Sequence, residues 1–190
     1  VVLGDSLCWG QGLVNDDRWV HSLERRLEAI RPTQIVPLCE QGDQLIDHLS
    51  KFHASRRVWA GDLYLFGLVG DDLLWTHKPE LLDGPARGLM AQCEHLPISD
   101  GIHPPERVEL SFAYSEGSAY ACIRDAVVAS LPLERALFFT YGPPFTREAP
   151  IVSGLVAPLE ARGAMVATLV VDGIEGDGRR FDSRYYVSRR

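Results

Sequence analysis

The sequence predicts a three-layer α/β domain, with about five parallel strands in a doubly wound sheet and helices on both faces. Three observations carry this. Short apolar runs alternate with amphipathic segments along the chain. One run, Asp62-Leu-Tyr-Leu-Phe-Gly-Leu-Val69, is nearly continuous in apolar residues, as a strand covered on both faces has to be. The 190 residues are 46% apolar and 24% charged, enough for one sizeable core and unlike a disordered chain. A single domain over 1–190 is therefore expected.

The elements follow in order. Val1–Leu3 is a first strand. Trp19, Val20, Leu23, Leu27 and Ile30 then share one helical face, with Asp16 or Asp17 as N-cap and Pro32 just past the end. Gln34–Leu38 is a second strand, and Pro37 assigns it to an edge or a bulge. A helix after Gly42 carries Leu45, Ile46, Leu49 and Phe52 inward. The run at 62–69 is strand three, and it ends in Gly70-Asp71-Asp72. Residues 76–115 are rich in Pro, Gly and His and weakly periodic, which reads as an insertion or lid. A helix over 117–131 points Tyr120, Ile123, Val127 and Leu131 inward. Strand four is Ala136–Tyr141, stopped by Gly142-Pro143-Pro144. A helix over 151–161, despite Pro158, leads to strand five at Ala164–Val171. Residues 172–190 show no closing helix.

The formal net charge of −7 disfavours nucleic acid or an anionic membrane as partner, because phosphate binding needs a basic face. No apolar run approaches the length of a membrane span. The cysteines at 8, 39, 93 and 122 contain no C-x-x-C pair. They read as buried free thiols rather than a disulfide framework or zinc site, and Cys93-Glu94-His95 is the nearest approach to a metal pair. A reducing, cytoplasmic location is expected on that ground. The chain starts at Val1, so a removed N-terminal signal stays open. No cofactor is expected.

In such sheets ligands bind beyond the carboxyl ends of the strands. There the first strand leaves through Gly4-Asp5-Ser6-Leu7 and spends further glycines at 10 and 12 before its helix. A sharp bend of that kind presents the Ser6 hydroxyl instead of packing it. Gly4-Asp5-Ser6-Leu7 resembles the first signature block of the GDSL, or SGNH, hydrolases. Trp9-Gly10-x-Gly12 and an amphipathic helix follow it, as is common in that family. Gln41-Gly42-Asp43 resembles the second block, and Val69-Gly70-Asp71-Asp72-Leu73-Leu74 sits where the third, G-x-N-D, would fall. The likeness runs through the chain in order.

The resemblance implies a flavodoxin-like sheet and a serine esterase acting on a small-molecule acyl or O-acetyl ester through an acyl-enzyme on Ser6. A serine hydroxyl needs an imidazole to take its proton and a carboxylate to hold that imidazole. It also needs preorganised donors at the oxyanion. The family's donors fall by position on the N–H groups of Ser6 and Gly42 and on residue 71. Asp71 departs from the pattern, since an ionised carboxylate only accepts hydrogen bonds and repels an oxyanion. It is either protonated, or turned away with the Gly70 N–H in its place, or part of a weakened or redirected site.

The base departs as well. The family's D-x-x-H lies after strand five, yet the last histidine here is His103. Asp100-Gly-Ile-His103-Pro104 matches the motif from within the 76–115 insertion. Either this loop supplies Asp100 and His103, or the chain ends short of its histidine block, or the site lacks a base. His77 is the fallback. His21 and His48 are read as exposed helix residues, and His53 as a cation suited to a helix end. Trp9 and Trp75 line a pocket or pack in the core.

Two rival functions stand. One is nucleotide binding, for which Gly10-x-Gly12 and Glu40 mimic a dinucleotide fingerprint whose third glycine is replaced by Asn15. The other is a non-catalytic protein of the same fold that binds an ester or glycan.

Overall fold

The computed structural model describes residues 1–5, 8, 14, 18–59, 61–68, 79–97, 117–141 and 150–169. The elements are β1 (Val2–Gly4), α1 (Trp19–Glu28), β2 (Pro37–Cys39), α2 (Leu45–Arg56), β3 (Tyr64–Leu68), a 3₁₀ turn (Pro79–Leu81), α3 (Gly84–Cys93), α4 (Ala119–Ser130), β4 (Ala136–Tyr141), α5 (Pro150–Ala161) and β5 (Met165–Leu169). The five strands form one parallel sheet in the order β2-β1-β3-β4-β5, which is the flavodoxin-like doubly wound arrangement.

Strand pleating sorts the side chains into two cores. Leu3, Phe66 and Phe138 face one way and meet Leu49 and Phe52 of α2, Met90 of α3, Val127 of α4 and Leu159 of α5. Phe66 pairs with Phe138 across the register, and their rings stack 5.2 Å apart. Val2 and Leu65 face the other way, against Trp19 and Val20 of α1. Trp19 stands edge-on to Phe139 at 5.3 Å. Helices thus cover both faces, which explains why β1 and β3 are apolar at successive positions. Pro37 sits in the outermost strand, where its missing N–H breaks no ladder. Among the described residues, no helix is long and apolar enough to cross a membrane.

Several expectations change. Residue Ile30 lies beyond the end of α1 and is 81% exposed, so the apolar stripe stops at Leu27. The N-cap of α1 is Arg18 and makes no side-chain capping bond, whereas Asp16 and Asp17 fall outside the described residues. The weakly periodic stretch at 76–115 contains α3. Its start carries a legible mark: Asp83 accepts a hydrogen bond from the Ala86 N–H at 3.0 Å, and a proline occupies the first turn. Ala86, Met90 and Cys93, at helical spacing, are its buried stripe. Two glycines at 84 and 88 mask that period in the sequence.

The cysteines correct a second expectation. Cys8 is bonded to Cys39 and Cys93 to Cys122, with Cα atoms 5.6 and 5.7 Å apart. Folding brings thiols about thirty positions apart into contact, which spacing alone does not reveal. The argument for a reducing compartment, built on free thiols, falls with this. Cys93 is also no thiolate for a metal pair with His95.

Candidate active site

The carboxyl ends of β1 and β2 meet at the rim where the sequence anticipates chemistry. β1 closes on Gly4, whose carbonyl accepts the Glu40 N–H at 3.2 Å, one residue past β2. Asp5 is buried immediately after it. The order β2-β1-β3 puts this point between β2 on one side and β3 on the other, where the winding reverses.

Past β2 the chain turns at Glu40–Asp43, with the Asp43 N–H donating to the Glu40 carbonyl at 3.2 Å. Gly42 has φ +78°, the left-handed region that favours glycine. It is exposed, and among the described residues its N–H has no hydrogen-bond partner. An unengaged backbone N–H on a rim turn is the kind of donor an oxyanion requires. The turn is held from below by Lys51 of α2, whose ammonium bonds the Asp43 carboxylate and reaches Glu40 at 3.1 Å. Asp43 is 1% exposed, so this partner offsets the cost of a desolvated charge. The next helix begins at once: the Gln44 N–H donates to the Asp47 carboxylate at 2.8 Å. That closes an otherwise orphan donor at the start of α2.

The Cys8–Cys39 disulfide clamps the same corner. It joins a position two residues after Ser6 to the last residue of β2, three before Gly42. The segments carrying the two expected backbone donors are therefore covalently coupled across the sheet edge.

His48 corrects the reading of an exposed helix residue. It is fully buried, on the same side of α2 as Leu45 and Phe52, beneath the rim. Its spacing, three after Leu45 and four before Phe52, is the signal that would have located it. Neither ring nitrogen has a well-formed hydrogen bond. Burial, helped by the nearby Lys51 charge, lowers its pKa to about 3 against a small upward pull from the Gly4 backbone. The imidazole is therefore neutral at pH 7. His21, by contrast, is half-buried on α1 and lies 3.7 Å from Glu24. His53 falls in the last turn of α2, where a cation suits the helix end.

Of the sequence-predicted site residues, Gly42 is described. Ser6, Gly70, Asp71, Asp100 and His103 lie outside the described residues, as do His77, Trp9 and Trp75. Lys51, the burial of His48 and the Cys8–Cys39 bridge are the surroundings of the Gly42 turn that sequence reasoning passed over.

No family model matches this chain, and no curated protein matches it. Among solved structures it is similar to AlinE4, an SGNH-hydrolase family esterase, at 18% identity over 87% of this chain and 73% of that one, with a TM-score of 0.47. It is similar to a mutant of esterase AlinE4 at 16% identity, TM-score 0.49, over 96% of this chain and 89% of the other. It is similar to TesA at 17% identity, TM-score 0.46, over 87% and 74% of the two chains.

Proposed function

We propose that the protein is a serine hydrolase that cleaves acyl or O-acetyl esters of a small molecule through an acyl-enzyme on Ser6. The observation that carries the reading is the pairing of a G-D-S exit from β1 with the Gly42 turn at the adjacent strand end. In sequence Ser6 directly follows buried Asp5 at the end of β1, and among the described residues no hydrogen bond engages the Gly42 N–H on the turn after the neighbouring strand β2.

The residues take the following roles. His103, oriented by Asp100, accepts the Ser6 proton as the oxygen attacks the ester carbonyl. The oxyanion is met by the N–H groups of Ser6, Gly42 and Gly70, with Asp71 turned away from it. Collapse expels the alcohol, which takes its proton from His103 and leaves the acyl group on Ser6. Water, deprotonated by the same imidazole, then releases the acid and restores the serine. The disulfides favour an oxidising compartment over the cytoplasm.

A second reading, a non-catalytic binder of an ester or glycan, is favoured by Asp71 where a neutral donor is expected. The two separate on one experiment: labelling by a fluorophosphonate probe, with p-nitrophenyl acetate turnover, in wild type and Ser6→Ala. Labelling and turnover that vanish in Ser6→Ala support the hydrolase. Equal labelling of both proteins ends it. Full activity in His103→Ala removes that residue from the mechanism.

A further inference from the structure

The opposite pole of the sheet carries a basic cavity that the proposed chemistry does not use. It has a volume of about 820 Å³ and is lined by Arg56, Arg135, Arg162, Glu134, Trp59 and Tyr64 among the described residues. Tyr64 opens β3, Arg135 immediately precedes β4, and Arg162 precedes β5. The cavity is therefore at the amino ends of the strands. β3, five residues long, separates it from the carboxyl rim by about 17 Å.

Two of the three guanidiniums touch neutral groups. Arg56 lies over the Phe52 ring, 5.5 Å from its centroid. Arg162 donates to the Val128 carbonyl at the end of α4. Such contacts fix direction but leave most of the donors of these two guanidiniums unused, since a fork carries five. Among the described residues, three cations thus share a cavity with one carboxylate, in a chain whose formal net charge is −7. Gathering like charges without counter-charge is unfavourable, and a bound anion relieves it. The surplus over Glu134 matches a dianion. A phosphate monoester carries about −1.5 to −2 charge at pH 7 and offers three acceptor oxygens to planar forks. Trp59, 42% exposed at the lip, supplies a face for an apolar body. The volume falls within the range of small-molecule sites, about 300–1,000 Å³.

We propose that this cavity is a binding site for a small organic phosphate monoester with a flat apolar group. The test is isothermal titration of the full chain at low ionic strength with phenyl phosphate, inorganic phosphate and neutral benzyl alcohol. Phenyl phosphate is expected to bind one to one, inorganic phosphate more weakly, and benzyl alcohol not at all. Arg135→Gln, an exposed change, is expected to weaken phenyl phosphate about tenfold, as is Arg162→Gln if its circular dichroism matches wild type. Trp59→Ala is expected to weaken phenyl phosphate and leave inorganic phosphate unchanged. Ser6→Ala is expected to bind as wild type does, which separates this site from the fate of the esterase reading. No heat with phenyl phosphate, equal affinity in Arg135→Gln, or lost binding in Ser6→Ala would each overturn the proposal.

Discussion

His48 makes the stability of this fold depend on acid in a calculable way. The imidazole is fully buried with both nitrogens lacking well-formed bonds, and its pKa is about 3 against 6.5 for a free side chain. A folded-state pKa below the unfolded one means that the unfolded chain binds the proton first. The group therefore leaves stability intact above about pH 6.5 and subtracts from it as pH falls from there toward 3. Each unit in that window costs about 1.4 kcal/mol, so moving from neutrality to about pH 4.5 removes on the order of 2–3 kcal/mol on account of His48. Replacing it by leucine, close in volume and without polar atoms, removes the titration and is close to neutral at pH 7. The assay is urea unfolding followed by circular dichroism at both pH values in wild type and His48→Leu. The variant should lose on the order of 2–3 kcal/mol less than wild type on acidification. Equal losses would show that the imidazole is solvated or protonated in the folded state, and the reasoning would fail.

Other outcomes follow from the same structure. Gly42→Ala puts a side chain at φ +78° and should cost about 1–2 kcal/mol in stability while lowering kcat more than it raises KM, read by urea unfolding and ester turnover. Cys93→Ala/Cys122→Ala opens a loop with a sequence separation of 29 and should cost about 3.5 kcal/mol on the chain-entropy model, read from the urea midpoint. Phe138→Ala removes a fully buried ring stacked on Phe66 and should cost about 3–5 kcal/mol, enough to be seen as a large drop in Tm.

The elements legible in the sequence are those whose patterns are local. β4 begins and ends where its apolar run does, at Ala136 and Tyr141. α2 buries the Leu45, Ile46, Leu49 and Phe52 stripe. α3 escaped notice because Gly84 and Gly88 diluted its period, although Asp83 and the proline after Gly84 marked its start. Near the expected site, Gly42 was legible as a turn glycine from its place after β2, and its backbone is left-handed. His48 was misread because histidine is usually exposed, and residue type outweighed a spacing that pointed inward.

By itself the sequence determined the α/β class, the alternation of strand and helix, and the residue types that make Ser6 and its rim the place to look for chemistry. Periodicity and turn residues act over a few positions, so one chain suffices to read them. The tertiary structure alone decided which cysteines pair, that Lys51 supports the Gly42 turn, and that three arginines converge at the far pole. Each of these joins groups that the chain separates, and a contact between distant positions is created by packing, which leaves no trace in local pattern.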